Sequence, residues 1–216
     1  IGTRPKMTMR TFASLLVALL VCLPAARAQT ATPFVERLLT REQFRKLDDG
    51  GFVIYMRHGK TDPTRPDQPE PKFDDCNTQR PLNDEGRKMA ADIGKSLRQA
   101  RIPIADIYVS PMCRTRESAQ LVFGREARVI VVDELFSSTN QTSEQKKPII
   151  EATRRLMSAP VSQGKNRFIL AHAPNLADTM GYFPKQEGTV VIFIPQGSGF
   201  EYVGSIRPDM WPELLR

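Results

Sequence analysis

The chain contains only two histidines, His58 and His172, and each lies within two residues of the end of a short apolar run. Arg57 precedes the first histidine, and Arg114 lies five residues beyond another apolar run that ends at Val109. Neutral imidazole is a competent nucleophile near pH 7, and neighbouring guanidinium groups disfavour its protonation. Guanidinium groups also match the oxygens of a phosphate. If these side chains meet, they suit phosphoryl transfer through a phosphohistidine.

The order of the predicted elements would bring these side chains together. Apolar runs at residues 52–56, 104–109, 129–132 and 168–171 predict strands that alternate with helices. Ligands of such sheets bind beyond the carboxyl ends of the strands. The residues that follow Met56, Val109, Val132 and Ala171 should therefore face one shared cleft.

We expect an α/β fold, a three-layer sandwich with a mostly parallel central sheet, helices on both faces and an antiparallel edge hairpin. The hairpin is predicted at 189–194 and 200–206, on either side of a Pro- and Gly-containing turn. Helices are predicted at 34–47, from an Asn83 cap to 101, at 111–123, at 143–157 and from about 174.

Metal and nucleotide chemistry find no support in the sequence. There is no H-E-x-x-H spacing and no G-x-x-x-x-G-K-[ST] loop. The two arginines supply the positive charge that a metal ion would otherwise bring, so we expect neither a metal nor another cofactor.

The net charge of +7 does not indicate a nucleic-acid partner. Four basic and no acidic residues lie within 1–28, which leaves 27 basic against 24 acidic residues in the rest of the chain. This excess of about 3 charges is too small for a surface that follows a phosphate backbone.

Residues 1–28 read as a secretory signal peptide. A basic start is followed by an apolar run from Phe12 to Leu23 and by an A-x-A cleavage pattern at 26–28. We interpret residues 1–6, which precede Met7, as a misassigned start or a non-native addition. The expected mature chain, 29–216, would be one periplasmic or secreted domain without a membrane span, and its oligomeric state is left open.

Two cysteines, Cys76 and Cys113, remain after cleavage at this site. An oxidising compartment favours a disulfide between them, and two unpaired small side chains are the alternative.

Three motifs together resemble the histidine phosphatase superfamily, also called the phosphoglycerate mutase-like family, over about residues 50–206. They are Arg57-His58-Gly59, Ser110-Pro111-x-x-Arg114 and Ala171-His172. Leu82-Asn83-x-x-Gly86 is also similar to a helix start of the family. The resemblance implies that His58 is the phosphorylated nucleophile and that Arg57, Arg114 and His172 complete the phosphate pocket.

The proton donor for the leaving group is the open question. The acid-phosphatase branch of the family places an acid directly after the second histidine, where this chain has Ala173. The mutase-like branch implies a later acid, for which Glu134 is the first candidate and Asp133 the second. Asp62 and Asp75 remain alternatives.

Two further residues could contact substrate: Asn175, unless it caps its helix, and Arg80.

The sequence thus predicts an exported, metal-independent phosphomonoesterase that acts on small or cell-envelope phosphate esters. One alternative is a phosphohistidine or phosphoprotein phosphatase. The other is a non-catalytic module that binds phosphate or a phosphorylated glycan.

Overall fold

The central sheet follows from five apolar runs and one short exposed strand. In the computed structural model, which describes residues 1–3 and 33–216, six strands are ordered β3-β2-β4-β1-β5-β6. Their bounds are β1 Val53–Arg57, β2 Ile104–Val109, β3 Ile130–Val131, β4 Asn166–Ala171, β5 Val190–Pro195 and β6 Phe200–Ile206.

Strand direction separates the sheet into two parts. The four strands β3, β2, β4 and β1 are parallel, whereas β5 runs antiparallel to both β1 and β6. The strands β1 and β4 are buried along nearly their whole length, as expected for parallel strands covered on both faces. The predicted fold class, including the antiparallel edge hairpin, is confirmed.

Helices cover both faces of the sheet. Their bounds are α1 Arg41–Arg45, α2 Asp84–Gln99, α3 Cys113–Phe123, α4 Ser143–Ser158, α5 Ala173–Met180 and α6 Trp211–Leu214, with short 3₁₀ turns between some of them. Successive side chains of β1 point to opposite faces. Ile54 and Met56 pack with α1, α2, α3 and α6, while Val53 and Tyr55 pack with α4 and α5.

The first predicted helix is wrong in its N-terminal half. The segment before Thr40 is extended, and Leu38 forms a parallel bridge with Ser205 at the edge of β6. Thr40 and Gln43 form a capping box that begins α1 at Arg41. In this segment Phe34 and Leu39 pack against β6, whereas Val35 and Leu38 are exposed.

Residues Pro33–Arg216 form one compact unit. The predicted signal peptide lies almost wholly outside the described residues. Among the described residues, no helix has the length and apolar character needed to cross a membrane.

Candidate active site

The two histidines meet because β1 and β4 are neighbours in parallel register. Arg57, the last residue of β1, lies opposite Ala171, the last residue of β4. The backbone N–H of His58 donates to the carbonyl oxygen of Ala171 over 3.2 Å. His172 directly follows β4, and the ring centroids of His58 and His172 are 5.3 Å apart.

Two glycines allow the loop after β1 to lie directly on the start of α2. A Cβ on Gly59 would stand 2.6 Å from the carbonyl oxygen of Gly86, and a Cβ on Gly86 would stand 2.0 Å from that of Lys60. Asn83 caps the helix there by accepting the N–H of Gly86. The glycines of the Arg-His-Gly and Leu-Asn-x-x-Gly motifs are therefore required by close backbone packing.

The hydrogen bonding of His58 defines its nucleophilic nitrogen. Its Nδ1 lies 2.9 Å from the carbonyl oxygen of Gly59, and because a carbonyl only accepts, Nδ1 must carry the proton. The lone pair is then on Nε2. Burial lowers the pKa of His58 well below its ordinary value, and the charges of Arg114, Arg57 and Arg80 lower it further.

His172 is fixed from two sides. The hydroxyl of Tyr55 donates to its carbonyl oxygen over 2.8 Å and accepts its backbone N–H over 3.1 Å. Its Nε2 lies 2.8 Å from Oγ of Ser110, which also accepts the N–H of Met112. The Ser110 hydroxyl can donate to Nε2, and in that tautomer the proton of His172 is on Nδ1. Burial and then the charge of Arg114 lower the pKa of His172 well below its ordinary value.

Three arginines surround the histidines. Arg57 donates from one terminal nitrogen to the carbonyl oxygens of Pro184 and Lys185, and Arg114 pairs with the carboxylate of Asp67 over 2.9 Å. Arg80, which the sequence analysis named as a possible substrate contact, is half-buried, and its charge lowers the pKa of both histidines. The structure thus brings together Arg57, His58, Arg80, Arg114 and His172.

Four buried nitrogens of this cluster have no hydrogen-bond partner within the described part of the chain. They are Nδ1 of His172 and the Nε atoms of Arg57, Arg80 and Arg114. A buried N–H without an acceptor is costly, and phosphoryl oxygens are suitable acceptors for all four.

A disulfide joins the loop after β1 to α3. Cys76 and Cys113 are bonded, with their Cα atoms 5.7 Å apart, which resolves the alternative left by the sequence. Beside it, the side chain of buried Gln79 accepts the backbone N–H of Cys113 over 2.7 Å. Both links hold the loop that carries Asp67 and Arg80 against the start of α3, next to Arg114.

The candidate proton donors lie outside this cluster of contacts. Glu134 and Asp133 are exposed on a 3₁₀ turn, Asp133–Leu135, that follows β3. Asp62 accepts two hydrogen bonds from Thr64, which lower the pKa of its carboxyl, and Asp75 caps a short 3₁₀ helix at Asn77. The two loop acids are therefore used as local caps, and the role of Glu134 stays a prediction.

The sequence favoured Asn175 as the cap of its helix, and this prediction is wrong. The helix α5 begins at Ala173 with His172 as its N-cap residue. The side-chain amide of Asn175 donates to the carbonyl oxygens of Leu135 and Phe136 and accepts the N–H of Ser138. Asn175 thereby holds the loop after Glu134, and a contact with phosphate would require it to release one of these bonds.

Two carboxylates that the sequence analysis did not single out contact the cluster. Asp67 binds Arg114 and the backbone N–H of Arg80. Glu187 lies 3.5 Å from a terminal nitrogen of Arg57 and 3.8 Å from Nδ1 of His58. No motif marks either residue, because each reaches the site through a loop.

The comparisons with known proteins agree with this geometry. The family model "Histidine phosphatase superfamily (branch 1)" matches residues 53–167, which is more than half of the chain. The chain belongs to the histidine phosphatase superfamily. This membership confirms the predicted family and the predicted enzyme class, a histidine-type phosphatase.

Solved structures of the superfamily share the fold of this member at low identity. The protein histidine phosphatase SixA, in complex with tungstate, is 15% identical with a TM-score of 0.50, and the match covers 73% of this chain and 97% of SixA. A phosphoglycerate mutase from Bacillus anthracis strain Sterne is 13% identical with a TM-score of 0.52, and the match covers 79% and 100%. Among curated proteins, no sequence matches this chain.

Proposed function

We propose that this member of the superfamily is an exported phosphomonoesterase that works through a phosphohistidine at His58 and needs no metal ion. The observation that carries the proposal is the cluster itself. Nε2 of His58 holds an unprotonated lone pair beside four buried nitrogens, on His172, Arg57, Arg80 and Arg114, that have no hydrogen-bond partner among residues 1–3 and 33–216. A phosphoryl group would satisfy these donors while the lone pair attacks its phosphorus.

The reaction would proceed in two displacements. In the first, Nε2 of His58 bonds to phosphorus as the bond from phosphorus to the leaving oxygen breaks, and that oxygen takes up a proton. In the second, water attacks the phosphohistidine, loses a proton and releases phosphate as the N–P bond breaks. The three arginines hold the charge of the transferring group in both steps.

Glu134 is the proposed source of the first proton and acceptor of the second. Its support is the resemblance to the mutase-like branch; Phe136, two residues further on, lines a cavity of about 150 Å³ with Asp67 and Met112, and Glu134 itself is exposed. Asp67 and Met112 both contact Arg114, so the cavity lies beside the phosphate-binding arginines. This is the space that we assign to the leaving group.

The substrate class rests on the size of that cavity and on the predicted export. A volume of about 150 Å³ suits a small or flexible leaving group, such as the alcohol of a small phosphate ester or the dephosphorylated sugar of a cell-envelope phosphate. The compartment itself is a proposal from the leader-like sequence at 1–28.

The test is hydrolysis of an aryl phosphate by the protein in excess chelator, beside a His58→Ala variant. We expect turnover that survives chelation and falls by several orders of magnitude in the variant, because the nucleophile is removed. Acid-labile, base-stable label from ³²P-substrate should be captured on the wild-type protein and not on the variant.

Other outcomes would change the proposal. Turnover that chelation abolishes would contradict the metal-free mechanism. A folded protein that binds phosphate without turnover would favour the binding module. Activity on phosphorylated protein far above that on small esters would favour the phosphoprotein phosphatase.

A further inference from the structure

Glu187 is the acidic residue that lies against the nucleophile. Its carboxylate accepts the hydroxyl of Thr61 over 2.7 Å and the backbone N–H of Thr61 over 3.2 Å. The same carboxylate stands 3.8 Å from Nδ1 of His58 and 3.5 Å from Arg57. The Glu187 side chain is 17% exposed, so these contacts are little screened by water.

We propose that Glu187 is a positioning residue that stabilises the positive charge formed on His58 during phosphoryl transfer. The inference rests on the proposed function and adds a residue to it. Glu187 acts through the imidazole and touches neither the phosphoryl group nor the leaving oxygen.

The geometry excludes Glu187 as the donor of the leaving-group proton. Nδ1 of His58 is bonded to the carbonyl oxygen of Gly59, so the attack comes from Nε2. In an in-line displacement the leaving oxygen stands on the far side of phosphorus from Nε2. Glu187 lies on the Nδ1 side of the ring, behind the nucleophile.

The charge balance of the step gives Glu187 its role. The free imidazole is neutral, with its proton on Nδ1. When Nε2 bonds to phosphorus, the ring keeps that proton and becomes cationic. The charges of Arg57, Arg80 and Arg114 oppose this change, as they already lower the pKa of His58. A carboxylate 3.8 Å from Nδ1 favours it.

A Glu187→Gln variant separates this charge from the structural anchor. Glutamine retains an oxygen that can accept the N–H of Thr61 and an amide that can donate to the hydroxyl, so the loop stays anchored while the charge is lost. We expect kcat for an aryl phosphate to fall by about 10- to 100-fold.

Inhibition by inorganic phosphate gives the second readout. Because Glu187 repels an anion at Arg57, its neutralisation should leave the inhibition constant of phosphate unchanged or lower it. A merely structural defect would also slow turnover, but it would weaken phosphate binding and so raise the inhibition constant.

Three companion variants complete the experiment. Glu187→Asp should recover part of the lost kcat, because it restores the charge. Thr61→Val removes one anchor and keeps the carboxylate, so its loss should be smaller than that of Glu187→Gln. Glu85→Gln neutralises an exposed glutamate that pairs with Lys60 and should have wild-type kinetics.

The outcomes distinguish this inference from the function on which it rests. If turnover requires His58 and Glu187→Gln has wild-type kcat, the role of Glu187 is overturned and the phosphatase mechanism stands. The same holds if kcat falls only together with phosphate binding and thermal stability. If turnover does not require His58, both proposals fail.

Discussion

Each histidine of the site is kept neutral by the environment that also binds phosphate. His58 and His172 are almost fully buried, and the same arginines that would hold phosphoryl oxygens lower the pKa of both rings. Burial and positive charge act in the same direction on an imidazole. The arginines therefore serve the site twice, by keeping Nε2 of His58 unprotonated and by attracting the group that it attacks.

The role of Glu134 can be tested through the leaving group. An alkoxide needs a proton as its bond to phosphorus breaks, whereas a good aryl leaving group needs little help. We expect Glu134→Gln to slow the hydrolysis of an alkyl phosphate by about a hundredfold and that of a nitrophenyl phosphate much less. The measurement is kcat/KM for both esters.

Two other variants define how that result is read. Glu126→Gln removes an exposed glutamate in the loop before β3 and should leave both rates unchanged. If Asp67→Asn shows the leaving-group dependence and Glu134→Gln does not, the donor is the carboxylate beside Arg114.

The predictability of individual residues depended on their place in a motif. Arg57, His58 and His172 lie at or just after the ends of apolar strands, Arg114 lies five residues beyond one, and their chemistry pointed to one site. Asp67 lies in a proline-rich loop, and neither its composition nor its spacing indicates that the loop folds back on Arg114.

At the scale of elements, the direction of one strand explains why Glu187 could not be foreseen. The expectation that a site lies after a strand holds for parallel strands. Because β5 runs antiparallel to β1, its beginning lies at the end of β1 that carries His58. The residues just before β5 therefore reach the site. The backbone N–H of Arg57 donates to the carbonyl oxygen of Thr189, and the backbone N–H of Gly188 donates to the carbonyl oxygen of His58. The sequence predicted an edge hairpin without showing which of its ends faces the cleft.

The disulfide makes a measurable contribution at this scale. Cys76 and Cys113 are separated by 37 residues, and closing a loop of that length lowers the entropy of the unfolded chain. We expect replacement of both cysteines by serine to lower the free energy of unfolding by roughly 3–4 kcal/mol. The measurement is guanidinium unfolding under non-reducing conditions.

A reduced wild-type sample serves as the internal control for that variant. It should unfold at about the same denaturant concentration as the double variant. Equal midpoints for the oxidised wild type and the double variant would show that the bridge does not constrain the unfolded chain.

The two cores on opposite faces of the sheet meet at the strands that carry the site. Ile54 and Met56 belong to one core and Val53 and Tyr55 to the other, so β1 is fixed from both sides. Tyr55 also connects this core to the active site, because its buried hydroxyl donates a hydrogen bond to the backbone carbonyl oxygen of His172. The site is thus part of the interior, and its ionisation is linked to the stability of the whole molecule.

That linkage predicts a loss of stability in mild acid. The unfolded chain gains protons on both histidines as the pH falls below about 6.5, whereas the folded chain does not, because the pKa of each buried ring is lowered. The free energy of unfolding should therefore fall as the pH is lowered through this window, by about 1 kcal/mol between pH 6.5 and 5.5 for each histidine and never by more than about 1.4 kcal/mol per pH unit. Urea midpoints at pH 7.0, 6.0 and 5.5 measure this slope above the range where most carboxylates titrate. His58→Ala should remove about half of it, and a wild-type midpoint that is constant from pH 7.0 to 5.5 would contradict the linkage.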